Sequence, residues 1–365
     1  MQKSVLSLRS PFRPASRIGL PALLVCVALA LPLFNAVFSP GHPLHLSLFV
    51  VNLVGQMMCF ALLALALDFV WGLLGVLSLG HGIFFGIGGY VMGFHLLNSA
   101  YADTKVLPDF MQFMGWSTFP TALKPFADLP MALLLGLVLA VLVGGVVGLA
   151  AFRSRINGVY FSIITQALTY ALMLLLFNND LGLGGNNGLT GFTLLAGFNL
   201  AHESTQVALA SLSAVVLAAV FFLLRWLALS SFGQAMVAVR DDEARLRFLG
   251  FRTDRIKLAA WCLSAAVAAL AGMLYVPQVG IINPGIVSPT LSVEIAVWVA
   301  IGGRGTLTGA VLGAVILSCL KFWLSAEIPS AWPFVLAGIT LLITVTLQNG
   351  LWGGVQQLRT WKAAS

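Results

Sequence analysis

The stretch 238–261, AVRDDEARLRFLGFRTDRIKLAAW, decides what kind of chain this is. Ten charged residues fall between Arg240 and Lys257, out of 19 basic and 12 acidic residues in the whole chain, and long apolar runs dominate on both sides. Each Arg, Lys or Asp at the centre of a spanning helix costs roughly 2.5 to 3.5 kcal/mol on insertion scales, so the segment is excluded from lipid. It reads as an aqueous loop, about 228–257, inserted between membrane helices. Within it Asp241, Asp242 and Glu243 precede Arg245 and Arg247, which places acid at a helix N-terminus and base at its C-terminal end, with Gly250 as a stop. Asp241/Arg245 and Glu243/Arg247 are four apart, the spacing of a pair across one helical turn. Ala244, Phe248 and Leu249 form an apolar stripe at 3.6 spacing. Two readings fit: a one-sided helix that docks a soluble partner, and a solvated loop carrying positive-inside charge.

Composition supports the membrane setting. Charged residues are 8% of 365, hydrophobic residues 59%, and the mean hydropathy is +0.99, far from soluble globular domains. At about 20 apolar residues per crossing, spans are expected near 18–39, 47–67, 70–97, 131–152, 157–177, 206–226, 257–279, 305–325 and 333–350, with a short tenth piece at 291–301. The expected fold is an all-α polytopic membrane protein of about ten transmembrane helices. The net charge of +7 is not a nucleic-acid signature, because the basic residues cluster between spans. Lys3, Arg9, Arg13 and Arg17 precede the first, Arg153 and Arg155 follow the fourth, seven lie between Arg225 and Lys257, and Arg359 and Lys362 end the chain. The positive-inside rule then puts both termini in the cytoplasm, and this requires the short piece to cross. The resulting division is a cytoplasmic arm over 1–17, a transmembrane domain over 18–352 with the 228–257 loop inserted, and a cytoplasmic tail over 353–365. The first apolar run is too long for a signal peptide and lacks a small-x-small site, so it reads as a retained helix. Cys26, Cys59, Cys262 and Cys319 are far apart in sequence and lie in expected spans, which favours buried packing over disulfides or zinc.

Several stretches carry polar or small residues at membrane depth. LSLGHGIFFGIGGY (77–90) and the three residues after it have Gly pairs four apart, such as Gly82/Gly86 and Gly89/Gly93, suited to close helix approach. His81 in that stretch is either functional or hydrogen-bonded to a neighbouring helix. Ser162, Gln166 and Thr169, with Tyr170 alongside, form one stripe, and Asn52 and Gln56 a second. Each suits a path for a small neutral polar solute, and each suits interhelical hydrogen bonding equally. Glu294 is a lone carboxylate in the short tenth piece, with a direct role and an interface position both open. LGLGGNNGLTG (181–191) is expected outside the membrane, and GGRGTLTGAVLGA (302–314) reads as a turn opening a helix with small residues. The chain contains neither GxxxxGK[ST] nor HExxH, and no Ser, His and Asp set lies in an aqueous setting.

Taken in order, LSLGHGIFFGIGGY, LGLGGNNGLTG, AVRDDEARLRFLGF, LSAAVAALAGMLYVPQVGIINP and GGRGTLTGAVLGA resemble the permease subunits of the branched-chain amino-acid and urea family of bacterial ABC importers. The resemblance runs from about Leu48 to Leu351 and is closest to the urea-type branch. It implies an ABC importer transmembrane domain in the bacterial inner membrane. It also implies a homologous second permease, two ATPase subunits that hold the ATP and Mg, and a periplasmic solute-binding protein. No cofactor is expected in this chain. The residues matching the family's coupling segment are Arg240, Asp241, Asp242, Glu243, Arg245, Arg247, Phe248 and Gly250. Amino-acid permeases of the family usually carry an Ala-Ala pair and an acid there. This chain has Ala244-Arg245 and then Arg247-Phe248, which resembles the urea-type variant. The implied cargo is urea or a short amide. The alternatives are a branched-chain amino acid, a passive urea or amide channel, and an intramembrane enzyme, for which no carboxylate or metal cluster is found.

Overall fold

The computed structural model describes residues 19–353 apart from 38–41, 43, 44, 157, 180, 181 and 347–349. The 1–17 arm and the tail beyond 353, with their six basic residues Lys3, Arg9, Arg13, Arg17, Arg359 and Lys362, lie outside the described residues.

Long apolar runs with few polar backbone alternatives make helices, the only open-ended element whose peptide groups are all satisfied internally in lipid. Among the described residues these are α1 Gly19–Val37, α2 Leu48–Asp68, α3 His81–Thr104, α4 Asp109–Phe113, α5 Leu129–Arg153, α6 Val159–Phe177, α7 Glu203–Leu229, α8 Ser231–Phe248, α9 Thr253–Val279, α10 Pro289–Gly303, α11 Thr308–Glu327 and α12 Trp332–Thr346. Seven are long and apolar enough to cross a membrane, counting α2 through Leu74, and shorter apolar helices lie at Ala22–Phe34, Pro289–Gly303 and Trp332–Leu342. The protein is an all-α polytopic membrane protein. A two-stranded hairpin, β1 Leu194–Leu195 and β2 Phe198–Asn199, decorates the loop before α7.

The second and third spans depart from the sequence expectation. Instead of ending near 67, α2 continues through a π-helical turn, Phe69–Leu74, and stops at Gly75 in the left-handed conformation (φ +81°). The expected 70–97 helix starts only at His81. Between them the backbone at 77–79 runs non-helically inside the bundle, and α6 supplies its hydrogen bonds. Ser162 donates to Leu77 O (2.8 Å), Leu79 N–H donates to Thr165 Oγ1 (3.1 Å), and Thr169 donates to Leu79 O (3.3 Å). Irregular backbone survives at depth only when other protein groups satisfy it in this way.

A similar break occurs at the other end of the bundle, where α9 stops at Gly280 and the chain passes through 281–288 before α10 begins. The starts of α3 and α10 meet: Gly82 N–H donates to Ser292 Oγ (3.1 Å), and a Cβ on Gly86 would fall 2.2 Å from Val287 Cγ2. The junction is internal, since α2 beside it runs on from Ala66 to Leu74, about 12 Å of helix. The short tenth piece is therefore the 15-residue helix α10, about 22 Å long. It is extended by the re-entering segment before it.

Glycines set how closely α3 and α9 approach. A Cβ on Gly88 would lie 2.0 Å from Ala269 O, and one on Gly272 would lie 1.9 Å from Phe85 O. The two backbones touch reciprocally, as the glycine spacing of 77–93 anticipates. In the next layer Trp261 donates to Gly144 O (2.8 Å), joining α9 to α5. Cys59 is buried, whereas Cys26 and Cys319 are exposed on helix surfaces, contrary to the expectation of buried packing, and all four cysteines are free.

Candidate functional site

At one end of the bundle, the charged end, α8 buries Gly233, Met236 and Val239 against its neighbours and carries its charged residues beyond them. It extends further than the sequence suggests, starting at Ser231, and kinks where Asp242 leaves helical geometry (φ −157°, ψ 88°). The kink has a local cause: the Asp242 carboxylate accepts the Arg245 N–H (3.0 Å), so Asp242 acts as the N-cap of a second short helix. That helix ends at Leu249 and Gly250, whose φ of +87° only glycine adopts without strain. The acid-first, base-last order and the glycine stop lie where the sequence places them. Asp241 does not reach Arg245 and instead pairs with Arg240 (3.1 Å), while Glu243 and Arg247 do bridge one turn (2.6 Å).

Glu243 is the hub that fastens this helix to the bundle. One carboxylate oxygen accepts from Arg247 (2.6 Å) and from Thr253 Oγ1 (3.0 Å), and the other from Lys257 Nζ (2.6 Å). Arg247 also donates from Nε to Thr253 Oγ1 (2.9 Å). Lys257 is only 3% exposed and sits over the Phe152 ring. The expected loop boundary at 257 is thus inside α9, whose first turn is part of the network. Burial works against the Glu243 carboxylate, but hydrogen bonds and charge from Lys257, with Thr253 and Arg247, outweigh it and hold its pKa below the ordinary value of 4.5. A depressed folded pKa means the stabilisation is complete above about pH 4.5 and is lost as pH falls through the lower folded value. Thermal unfolding in detergent should accordingly find Glu243→Gln less stable than wild type at pH 6–7, with the gap closing below about pH 4.5.

The outer face of the same helix is unpartnered. Phe248 is 92% exposed and Leu249 66%, and Ala244, Arg245, Gly250 and Phe251 are exposed beside them. Side chains that would pack in a core project instead from a rigid, charged mount.

The intramembrane polar residues divide between structural and open settings. His81 Nε2 lies 2.7 Å from Ser264 Oγ, and Ser264 donates to Ala66 O, so the imidazole is the donor in that pair. With Trp261 and Phe84 packed edge-on against the ring, His81 is a helix-to-helix link. Ser162 and Thr169 belong to the face that binds 77–79. Gln166 and Tyr170 do not share it: they point a quarter-turn away, Gln166 half-buried and Tyr170 exposed. On α2, Gln56 is half-buried and Asn52 Oδ1 is buried without a hydrogen-bond partner. Glu294 is fully engaged, accepting from Lys321 Nζ (2.5 Å) and Trp332 Nε1 (2.8 Å), which ties α10 to α11 and to the start of α12. Among the described residues no group of His, Cys, Asp and Glu could hold a metal ion.

At the opposite, distal end, Asn179, the 184–193 loop and the segment after α3 border a cleft of about 1130 Å³. Tyr101, Phe110 and Trp116 form its apolar walls, and Asn179, Asn186 and Asn187 supply amides; among the described residues no charged side chain lines it.

A family model described as "branched-chain amino acid transport system / permease component" matches residues 49–345. The chain belongs to that family of ABC importer permeases. Similar permeases include LivM, of the high-affinity branched-chain amino-acid transport system of Salmonella typhimurium, 28% identical over 338 residues, covering 86% of this chain and 72% of LivM. LivH of Escherichia coli K12 is 24% identical over 311 residues, 80% of this chain and 91% of LivH. LsrC, the autoinducer 2 import permease of Salmonella paratyphi B, is 27% identical over 244 residues, 65% of this chain and 68% of LsrC. No solved structure gives a significant match. The permease is thus a multi-pass transport component, in keeping with its apolar helices.

One residue of the permease escaped the sequence reading. Asp68, fully buried near the end of α2, binds the backbone of the turn between α10 and α11. Its signal was available, since a carboxylate in LALALDFVWGLL is an expensive exception inside an apolar run.

Proposed function

We propose that this chain is the membrane-spanning subunit of an ATP-driven importer in the bacterial inner membrane, with its charged end in the cytoplasm. It pairs with a second, homologous permease and two ATPase subunits, and receives urea or a short amide from a periplasmic binding protein. The observation that carries the reading is the α8 mount: Phe248, Leu249 and Arg245 presented to solvent on a helix fixed by Glu243, Arg247, Thr253 and Lys257. Such a surface transmits force only if its base is stiff, and this base is. ATP-driven closure of the partner subunits displaces α8 and rocks the bundle. The coupling residues are Arg240, Asp241, Asp242, Glu243, Arg245, Arg247, Phe248 and Gly250. The outward pair holds the contact, and the others shape and anchor the helix.

For the route, the outer face of α6 supplies Gln166 and Tyr170 at mid-depth, where exposure to lipid would leave amide and hydroxyl unsatisfied. A water-filled path shared with the second permease satisfies both. Gln56 and Asn52 offer a second set of amides. His81, Ser162, Thr169 and Glu294 hold the frame.

The distal cleft, uncharged among its described lining residues, supports a neutral solute. A branched-chain amino acid is the second reading, favoured by the names of the LivM and LivH relatives. Uptake of labelled urea into vesicles holding the complete complex separates the two. Excess unlabelled urea or acetamide should reduce it at least tenfold and excess leucine by less than twofold. The reverse order would replace the amide with an amino acid.

A further inference from the structure

Asp68 has no exposed surface, and its two oxygens accept separate backbone N–H groups, Oδ1 from Gly305 (2.6 Å) and Oδ2 from Leu307 (2.9 Å). One turn along, Gly72 lies flush on the same turn, where a Cβ would come within 2.4 Å of Gly305 Cα. The Gly72 carbonyl is also the acceptor for Arg240 Nη1 of α8 (2.8 Å), and the Arg240 stem packs on Gly75. Arg304, immediately before the first anchored amide, places its guanidinium 5.1 Å from the centre of the Trp71 ring. The last turn of α2, itself π-helical over Phe69–Leu74, is thus gripped by α8 on one side and by the α10–α11 turn on the other.

A turn needs a cap, and a neutral side chain would serve. The negative charge does more, because the two gripping elements each bring an arginine. Burial and the positive charge of Arg240 both disfavour the Arg304 guanidinium, and Asp68 opposes them. Leu307 is held at φ +45°, a setting that residues other than glycine rarely adopt, and its N–H is one of the two that Asp68 binds. Releasing the carboxylate therefore frees a strained turn and leaves two cations facing each other.

We propose that Asp68 is a positioning residue, the latch through which displacement of α8 reaches the α10–α11 turn; this rests on the importer reading above. The turn ends α10, whose other end meets α3 at the internal junction, so the latch links the docking surface to the broken helices in the middle of the bundle.

Amide hydrogen exchange on the full-length permease in nanodiscs tests the linkage without any partner. Asp68→Asn should speed exchange at 304–308 at least tenfold, and should also speed it across 243–249, which Asp68 does not touch. Arg240→Ala, an exposed position whose loss spares the core, should speed exchange at 304–308 in return. In the reconstituted complex, Asp68→Asn should keep basal ATP hydrolysis within twofold of wild type; both variants should lower solute moved per ATP at least tenfold and be no worse combined than apart. Faster exchange confined to 304–308 in Asp68→Asn, or an undisturbed turn in Arg240→Ala, overturns the latch and makes Asp68 a local cap. A wild-type complex that fails to transport would instead overturn the importer reading, which the exchange data do not address.

Discussion

Replacing Arg245 with Glu and Phe248 with Asp should lower ATP-dependent uptake by at least about fiftyfold, the order expected for loss of a central interface anchor, while membrane insertion and thermal stability should stay at wild-type levels. The two positions follow from the geometry. Both side chains are exposed on the outer face of α8 and make no contact that holds the helix in place. Arg247 is a poorer choice despite its similar charge, because it donates to Glu243 and Thr253. A change there disturbs the mount as well as the surface. Co-purification of the ATPase subunits should fall in parallel with uptake. Normal uptake by the double variant in proteoliposomes removes α8 as the docking surface.

Gly88→Val and Gly272→Val should each prevent recovery of monodisperse protein. The obstacle in both is backbone: the new Cβ would sit 2.0 Å from Ala269 O or 1.9 Å from Phe85 O. A rigid carbonyl cannot step aside as a side chain can, so α3 and α9 must separate along their shared length. Overpacking that side chains can absorb costs about 1–3 kcal/mol, and a backbone clash exceeds that. Gly145→Val is the control, since a Cβ there meets only Cys262 Sγ at 3.9 Å. Size-exclusion profiles after detergent extraction should separate the three. A normal profile for Gly88→Val would show that the α3–α9 contact is looser than drawn.

Much of this architecture was legible in the sequence, for reasons that particular residues make clear. The apolar runs located most helices because a lipid-facing segment has no alternative way to satisfy its peptide groups. The acids before Arg245 and the glycine at 250 marked a helix because capping depends on neighbours in the chain. What failed was long-range. The stripe Ser162, Gln166, Thr169 looked like one polar face, but whether hydroxyls meet solute or backbone depends on where 77–79 lies, which no local pattern encodes. The break at 75–80 was hidden for the same reason: α6 stabilises it from 85 to 90 residues away. Glu294 looked solitary because its partners, Lys321 and Trp332, are 27 and 38 residues further along.

The most direct measurement places the purified permease in liposomes, with and without its ATPase and binding-protein partners, and follows labelled urea across the bilayer. ATP-coupled import requires no flux above bare lipid for the permease alone, and inward movement against a gradient only when the whole complex hydrolyses ATP. Urea passing down its gradient through the permease by itself would contradict it.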